Sequence, residues 1–430
     1  MCRLAIGNDK VFDMVPNKSN QVTVDIYFCD DVFNNVLNFL PLVDIYLIKN
    51  VNRYYNEFID TCMILENYYH SKDNEIIIKK YGRYLKKIII YDDDDNIHDN
   101  YLIECNKLQV LDLKDGSHIT DEGLKYIYNI KSLTLYYNKN ITDEGLKYIS
   151  NICNLNLGLN KNITDKGLKY IQNIKNLSMS TNTNITNEGL KYISNIQRLN
   201  LALNSKITDE GLKYISNIQN LSLCINNKIT NEGLKYIPNI RYLSLYFNKL
   251  ITDEGLKYIS NIQDLILCSN KLITDKGLKY IPHVKCLKLY SNNNITDEGL
   301  KYISNIQHLE LGTNKLITDE GLKYISSIRH LNLKYNNLIT DKGLKYISNV
   351  QRLELDHNKL VTDEGLKYIS HIKYLYLKEN KNITNEGLKY IPHIQELDLR
   401  DNTQITDEGL RYIFNVKKLC LHNNINIMET

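Results

Sequence analysis

The side chains that most often perform chemistry, those of cysteine, histidine and clustered carboxylates, are scattered along this chain. Its nine cysteines form no Cys-x-x-Cys pair and no Cys/His spacing typical of a zinc site. The run Asp92-Asp93-Asp94-Asp95 lacks the ligand spacing of a calcium loop. His308 and His330 are expected to be exposed neighbours rather than metal ligands. The sequence therefore predicts free thiols and no metal, cofactor or catalytic residue.

The sequence motifs of common enzyme classes are also missing. There is no phosphate-binding glycine loop, no His-Glu-x-x-His pair and no nucleophile elbow. The net charge of +3 is too small to indicate a nucleic-acid partner, and no apolar stretch reaches the length of about 18 residues that a membrane span needs. We predict a non-enzymatic protein of the cytoplasm, with the nucleus as the alternative, and with no nucleic-acid or membrane partner.

A repeat of fixed length must position every other feature of the chain. The segment Ile-Thr-Asp-Glu-Gly-Leu-Lys-Tyr-Ile and its close variants recur fourteen times, from Gly123 to Gly409, with successive glycines always 22 residues apart. A fixed period of this length is the signature of a solenoid, in which each coil buries its apolar face against its neighbours. The period therefore predicts the fold of residues 109–430.

Each repeat is predicted to contain a strand, a turn and a helix. In the copy that begins at Leu133, that residue and Leu135 are the inward-facing positions of a short strand. Asn138 lies in the following turn, where its amide can bridge backbone groups of neighbouring turns. Thr142 is the predicted N-cap of the helix. Gly145 inside the helix costs about 0.5–1 kcal/mol relative to alanine, so we predict a close approach of neighbouring backbones there.

The pattern Leu-x-x-Leu-x-Leu-x-x-Asn-x-x-Ile-Thr-Asp-x-Gly-Leu resembles the leucine-rich-repeat family over about residues 86–430. The resemblance implies an α/β solenoid of horseshoe shape, with a parallel sheet on the concave face and helices on the convex face. Fifteen strands are expected, from Leu111 to Leu419. Residues 71–108 are predicted to be a connector and a degenerate capping repeat, in which Tyr101 replaces the glycine.

The part of the chain before the repeats differs in composition. Residues 1–22 are polar and irregular, and we expect a flexible lead-in there. Residues 23–70 carry apolar side chains at helical spacing, which predicts a small all-α domain. Pro41 is expected to end its first helix, and the third helix is predicted from Asn52 to about Tyr68.

Residues 31–59 resemble an F-box, through Leu40-Pro41, Asp44-Ile45 and Val51-x-Arg53-x-Tyr55. Two positions depart from the family pattern, because Phe28-Cys29 replaces the usual opening Leu-Pro and the last tyrosine replaces a tryptophan. In that family the F-box binds the adaptor Skp1. The resemblance assigns adaptor binding to Val32, Val36, Leu37, Leu40, Pro41, Ile45, Val51 and Tyr55.

An F-box followed by leucine-rich repeats resembles the substrate receptor of an SCF-type (cullin-RING) ubiquitin ligase. Near-identical repeats of this composition are similar to those in proteins encoded by giant viruses of amoebae. The resemblance implies a Skp1-like adaptor and a cullin as partners, supplied by the host cytoplasm if the chain is viral, and a protein substrate held by the repeats. The alternative is a leucine-rich-repeat interaction scaffold with no ubiquitin role, whose N-terminal helices only cap the solenoid.

Comparison of the fourteen copies separates constant from variable surface positions. The helix columns hardly change, whereas the residue after the second strand leucine differs widely from repeat to repeat. Random sequence drift alone would vary the residues on both exposed faces, so the contrast favours a concave surface diversified for binding. The alternative is a surface that tolerates substitution without selection. Mixed charge signs favour a protein over a phosphate backbone. The predicted partner-binding residues are Tyr136, Tyr137, Tyr242, Tyr246, Phe247, Tyr290, Lys334, Arg352, Asp356 and Arg400.

Overall fold

Parallel strands joined in chain order form the main sheet. The structure is a computed structural model that describes residues 5–6, 10–11, 64–67, 78, 82–90, 97–113 and 118–421. Each strand pairs in parallel with the strands one repeat before and after it, so Leu221 lies opposite Leu199 and Leu243. The strands of this sheet within the described residues are Ile64–Asn67, Lys87–Ile90, Val110–Leu113, Ser132–Leu135, Asn154–Asn156, Asn176–Ser178, Arg198–Asn200, Asn220–Ser222, Tyr242–Ser244, Asp264–Ile266, Cys286–Lys288, His308–Glu310, His330–Asn332, Arg352–Glu354, Tyr374–Tyr376, Glu396–Asp398 and Lys418–Cys420. A separate antiparallel pair joins Ala5–Ile6 to Lys10–Val11.

The sheet extends further towards the N-terminus than the repeat count predicted. Ile64–Asn67 pairs in parallel with Lys87–Ile90, which pairs in turn with Val110–Leu113. The prediction of a helix from Asn52 to about Tyr68 is therefore wrong for residues 64–67, and the limit of fifteen strands is wrong as well. Partner residues in these two pairings lie 23 positions apart. These strands therefore depart by one residue from the 22-residue period on which the predicted strands depend.

Short helices follow the strands on the other side of each coil. The α-helices in the described part of the chain are Asp99–Leu102, Asp121–Leu124, Asp143–Leu146, Asp165–Leu168, Asn187–Leu190, Asp209–Leu212, Asn231–Leu234, Asp253–Leu256, Asp275–Leu278, Asp297–Leu300, Asp319–Leu322, Asp341–Tyr346, Asp363–Leu366, Asn385–Leu388 and Asp407–Leu410. The 3₁₀ turns are Gly82–Tyr84, Lys147–Ile149, Lys191–Ile193, Lys213–Ile215, Lys257–Ile259, Lys301–Ile303, Lys323–Ile325 and Lys367–Ile369. None of the described helices is long and apolar enough to cross a lipid bilayer.

The predicted threonine caps are confirmed in most coils. Thr142 has extended backbone angles, and its hydroxyl accepts the N–H of Glu144 at 3.2 Å. Ile141 before the cap and Leu146 after it are both fully buried, as a hydrophobic staple requires. The same isoleucine and leucine columns form one continuous core through neighbouring coils. A single coil therefore has no core of its own.

A fully buried asparagine closes the turn of each complete repeat. Asn248 donates from Nδ2 to the carbonyl oxygens of Asn226 and Ile229 in the preceding coil, at 2.9 and 3.1 Å. Its Oδ1 accepts the N–H groups of Leu250 and Ile251 at 2.9 and 3.0 Å. The amide thus satisfies backbone groups that the stack removes from water. The predicted bridging by turn asparagines is confirmed.

The helix glycines leave room for a side chain of the preceding coil rather than for its backbone, which corrects the sequence-based prediction. A Cβ on Gly233 would clash with Oδ1 of Asp209 and lie 2.9 Å from its Cγ. The same carboxylate accepts the N–H of Thr230 at 2.8 Å and its hydroxyl at 2.6 Å. The degenerate capping repeat keeps this contact, because Asp99 accepts the N–H and hydroxyl of Thr120 at 2.8 and 2.6 Å.

Candidate functional site

The three-residue strands direct their middle residue to the core, and most of their flanking residues are at least partly exposed, with Ser244 and Asp398 as buried exceptions. In the strand Tyr242–Ser244, Leu243 is fully buried, and Leu245 after the strand is buried as well. Tyr246 and Phe247 follow, just before the buried turn asparagine, and both are exposed. We define the sheet face as the outward strand residues together with the two residues that precede the turn asparagine in each coil.

Two pairs of adjacent aromatic side chains stand on the sheet face. The rings of Tyr246 and Phe247 meet edge to face with their centroids 4.4 Å apart, and those of Tyr136 and Tyr137 do so at 4.6 Å. Edge-to-face packing is a favourable arrangement of aromatic rings. Five coils, or about 24 Å, separate the two pairs. The predicted aromatic residues therefore form two separate clusters, each with exposed ring surface.

The other two predicted aromatic residues lie on the same face but are more enclosed. Tyr242 is half-buried at the start of its strand, and burial raises the pKa of its hydroxyl. Tyr290 is half-buried two coils beyond Tyr246. Among the described residues, no ring-to-ring contact joins either of them to the Tyr246 and Phe247 pair. They contribute to the surface as separate side chains.

The second residue of each exposed pair has a left-handed backbone conformation, which sequence reasoning missed. Phe247 has φ of 59°, Tyr137 has 60° and Ile225 has 61°. Side chains with a Cβ disfavour this region, and branched ones such as isoleucine do so most. Glycine would relieve the cost, yet no described coil from residue 137 to residue 401 has one at this position. The side chains are therefore retained against a local backbone preference, as happens at functional sites.

A row of exposed apolar side chains occupies this strained position in three consecutive coils. Leu203, Ile225 and Phe247 are 46%, 43% and 40% exposed. Neighbouring coils lie about 4.8 Å apart along the sheet, so the three side chains form one continuous apolar strip beside Tyr246. In the sequence, this strip is indicated by apolar residues, rather than glycine or asparagine, at the position directly before the buried turn asparagine. Contiguous exposed apolar surface of this kind marks interaction sites on soluble proteins.

The charged residues of the later coils are largely paired with one another. Lys334 lies 3.0 Å from Glu354 and 3.1 Å from Asp356. Arg352 also pairs with Glu354, at 3.3 Å, and its guanidinium lies 4.7 Å from the ring centre of Tyr376. Such pairs, within one strand and between neighbouring coils, fix the positions of the side chains more than they attract a distant ligand. This half of the sheet face therefore offers a patterned and nearly neutral surface.

Asp356 is not available to a partner, although the sequence placed it among the binding residues. It is only 6% exposed, and its carboxylate accepts the backbone N–H of Lys378 at 3.0 Å. Arg400 is exposed as predicted, but it forms a bidentate pair with Asp398, whose Oδ2 is 2.5 Å from Nη2. Because Nε and Nη2 bond to Asp398, only the remaining edge of the guanidinium is available to a partner, and its charge is largely neutralised.

The two histidines predicted to be neighbours do meet. The rings of His308 and His330 lie 4.1 Å apart edge to face. Burial and the neighbouring His308 lower the pKa of His330, so the imidazole of His330 is predominantly uncharged at neutral pH. In the part of the chain that the structure describes, no three His, Cys, Asp or Glu side chains come together as metal ligands.

The helix face contrasts with the sheet face because its polar groups satisfy one another. Lys257 lies 2.6 Å from Glu254 one turn earlier, and Lys235 lies 5.2 Å from the ring centre of Tyr258 in the next coil. Pairs of this kind repeat along the helices. The helix face is therefore a constant, internally paired surface. The residues with a left-handed backbone all belong to the sheet face.

The residues predicted to bind the adaptor lie outside the described residues. They are Val32, Val36, Leu37, Leu40, Pro41, Ile45, Val51 and Tyr55.

The sequence profile of one protein family matches the chain repeatedly. It is the family described as Leucine Rich repeat, and it matches residues 104–127, 129–150, 154–171, 192–216, 236–260, 280–304, 302–326, 324–348, 346–370, 368–391 and 390–414. These stretches together cover more than half of the chain. No curated protein matches the sequence.

Solved structures of several solenoid proteins are similar to this one. An internalin of Listeria monocytogenes is 24% identical, with a TM-score of 0.54 over 70% of this chain and 88% of its own. A leucine-rich-repeat protein of Leptospira interrogans is 21% identical, with a TM-score of 0.53 over 77% and 93%. A chain of the yeast Rad7 and Elc1 complex is 16% identical, with a TM-score of 0.52 over 86% and 96%. At these identities the similarity concerns the fold.

Proposed function

The chain belongs to the leucine-rich-repeat family, and we propose that it is the substrate-recognition adaptor of an SCF-type ubiquitin ligase. In this proposal the F-box-like region binds a Skp1-like adaptor and, through it, a cullin. The sheet face of the repeats holds a protein substrate. The chain itself carries no catalytic group and acts in the cytoplasm, or in the host cytoplasm if it is viral.

The observation that carries the substrate-binding half of the proposal is the exposed cluster of Tyr246 and Phe247 with the apolar strip beside it. Phe247 and Ile225 keep bulky side chains where the backbone favours glycine. Exposed aromatic residues surrounded by neutral polar groups are typical anchors of protein interfaces. The largely paired charges of the later coils would add specificity to such an anchor without strong long-range attraction.

The similar structures support a role in complexes but do not distinguish among partners. The yeast chain comes from a complex of Rad7 with Elc1, and a further similar structure is that of mouse RP105 with MD-1. The latter is 15% identical to this chain, with a TM-score of 0.56 over 87% of this chain and 77% of its own. The ligase role of the present chain therefore depends on the F-box resemblance of residues 31–59.

One observation favours the alternative of a scaffold with no ubiquitin role. Ile64–Asn67 joins the parallel sheet, so the end of the region assigned to the helical domain is part of the solenoid. In the scaffold alternative, residues 23–63 only cap the stack, and their removal would make the repeats aggregate. In the ligase proposal, the repeats from residue 64 onward stay soluble and folded without them.

Affinity capture with the full chain and two variants tests the proposal. Tyr246→Ser with Phe247→Ser uses residues that the chain itself has in these columns, at Ser180 and Ser269. Tyr258→Ser on the helix face is the matched control. We expect all three proteins to capture Skp1 and a cullin, and only the sheet-face variant to lose the remaining captured protein.

Two results would count against the two halves of the proposal separately. Absence of Skp1 from all three captures would contradict the ligase role. Equal capture of every other protein by the sheet-face variant and the wild type would contradict the role of the sheet face.

A further inference from the structure

Five exposed leucines form a second apolar surface, away from the sheet face. They occupy one column, two residues after the buried turn asparagine, where the chain passes towards the helix. Their exposed fractions lie between 41% and 47%. We name this surface the leucine row, and its members are Leu250, Leu272, Leu316, Leu338 and Leu360.

Other coils use the same position for a hydrogen bond that holds the stack together. Asn294, which interrupts the row between Leu272 and Leu316, donates from Nδ2 to the carbonyl oxygen of Lys271 in the preceding coil at 2.6 Å. Asn184 and Asn382 make the corresponding bond at 2.6 Å. A leucine cannot make this bond, and its side chain reaches no core. The leucine row therefore gives up an available inter-coil contact and exposes apolar surface in return, which structural stability does not explain.

A row of unpaired lysines runs beside the leucines. Lys249, Lys271, Lys315 and Lys359 each directly precede a leucine of the row and are exposed. None of the four ammonium groups has a carboxylate partner within the described residues. The helix-face lysines, by contrast, pair with a glutamate one turn earlier. The surface thus combines an apolar row with a positive border, which complements a ligand that is apolar and acidic.

The spacing of the row selects the form of such a ligand. Neighbouring coils lie about 4.8 Å apart, so the row from Leu250 to Leu360 spans five steps, or about 24 Å. An α-helix advances about 5.4 Å per turn, close to the spacing of the coils, so about 16 residues and four to five turns cover the row. An extended strand repeats its side chains every 6.6 to 6.8 Å, about twice its rise per residue, and falls out of register with the coils.

From this geometry we infer that the leucine row is a docking site for an amphipathic helix of a partner protein, with an apolar stripe bordered by acidic residues. Its leucines pack against the apolar stripe, and the lysines beside them pair with the acidic border. The buried turn asparagine separates the column of the row from the sheet-face residues along the chain, and the docking site shares no residue with the aromatic cluster. The docking site therefore exists whether or not the chain serves a ubiquitin ligase.

Binding of designed peptides to the full chain tests this inference. The probe is a fluorescent helix of about 18 residues with leucines at helical spacing and glutamates on both borders. A second peptide has lysines in place of the glutamates. In one protein variant all five row leucines are changed to Asn, the residue that other coils carry there. In another, Lys249, Lys271, Lys315 and Lys359 are changed to Gln.

A control variant removes four positive charges from the opposite edge of the coils. Arg241, Lys285, Arg329 and Lys373 are exposed and alternate along the chain with glutamine in the intervening coils. Changing these four residues to Gln therefore matches the loss of charge with residues that the column already accepts. Circular dichroism melting of every variant excludes unfolding as the cause of lost binding.

We expect the acidic helix to bind the wild type, and to bind the leucine variant at least tenfold more weakly. The lysine variant should bind at least fivefold more weakly and lose its dependence on salt. The opposite-edge control should remain within twofold of the wild type. Equal binding by the leucine variant, or preference for the lysine-bordered peptide, would overturn the inference. Self-association through the row, or binding to phosphatidylserine vesicles without binding to the peptide, would overturn it as well.

Discussion

The ring of Tyr290 lies over Gly312 of the next coil. A Cβ on Gly312 would stand 2.6 Å from Cε2 and 2.7 Å from Cδ2 of the tyrosine, closer than Cβ atoms approach other heavy atoms. Tyr136 has the same relation to Gly158. Positions that look independent in the sequence are therefore coupled along the solenoid axis, because a glycine in one coil permits the ring of the coil before it to fold over the sheet.

Gly312→Ala should destabilise the protein by about 1 kcal/mol, because the new methyl group forces the tyrosine ring out of its packed position. Chemical denaturation of a double-mutant cycle with Tyr290→Ala measures the coupling. In the Tyr290→Ala background the glycine substitution should cost less, and the coupling energy should exceed the range of about 0.3–0.5 kcal/mol within which independent sites add. An equal loss in both backgrounds would show that the ring is not what limits this position.

Gly255→Ala should lower the melting temperature, although alanine is the better helix former by about 1 kcal/mol. Its Cβ would clash with Oδ1 of Asn231, an oxygen already fixed by the N–H of Thr252 at 3.0 Å. We expect a net loss of about 1–3 kcal/mol from this overpacking. Lys257→Ala, on the exposed face of the same coil, is the control and should change stability by less than about 1 kcal/mol. A melting temperature equal to that of the wild type would contradict the packing role of the glycine.

Asn187→Asp should stabilise the protein by restoring a helix cap. Asn187 donates its amide to the hydroxyl of Thr208 at 2.8 Å, and that threonine makes no cap bond to its helix. In the next coil, the carboxylate of Asp209 accepts the hydroxyl of Thr230, which in turn caps the N–H of Glu232. The restored cap should add about 0.5–1 kcal/mol, measured by thermal unfolding.

The same logic applies to two other coils. Asn231 and Asn385 also donate to a threonine of the following coil, and neither Thr252 nor Thr406 caps its helix. Aspartate at these positions should therefore add similar increments. A neutral or negative effect in all three coils would contradict the account of how the cap is lost.

Arg400→Ala should weaken the fold at neutral pH but not in acid. Burial acts to raise the pKa of Asp398, yet the hydrogen bonds from Arg400 hold it below its usual value. A carboxyl group with a lowered folded-state pKa stabilises the fold above its unfolded pKa of about 3.9, and this contribution is lost as pH falls through the folded-state pKa. The difference between wild type and variant should therefore be present at pH 7 and shrink below about pH 4.

Urea titrations at several pH values measure this difference. Arg198→Ala is the control, because Arg198 is exposed on the sheet face and has no carboxylate partner within the described residues. Its effect should not depend on pH. A constant difference for Arg400→Ala from pH 7 to pH 3 would rule out the proposed stabilisation of the carboxylate.

The repeated part of the fold could be predicted from the sequence because the same residue pattern, with the same local interactions, recurs in each coil. The leucine columns, the turn asparagine at Asn248 and the cap at Thr142 all follow from spacing and side-chain chemistry. Ile64–Asn67 could not be placed, because its register departs from the period by one residue. The helix glycines were recognised as close contacts, but the contacting group was a side chain of the preceding coil.

The candidate site could be predicted only as a face. The sequence located Tyr246 and Phe247, but their ring-to-ring packing and the left-handed backbone at Phe247 depend on the turn geometry. The buried position of Asp356 depends on a backbone donor one coil away. Contacts between coils therefore cannot be predicted from the residue types at a single repeat position.

Isothermal titration calorimetry of purified Skp1 with the full chain tests the ligase proposal most directly. The same titration is made with a Leu40→Asp variant and with a Tyr246→Ser variant. We predict a 1:1 complex with micromolar or tighter affinity, about −8 kcal/mol or stronger. Leu40→Asp should abolish it, and Tyr246→Ser should leave it unchanged. A wild-type chain that is folded, monodisperse and gives no binding to Skp1 would contradict the account and leave a scaffold without a ubiquitin role.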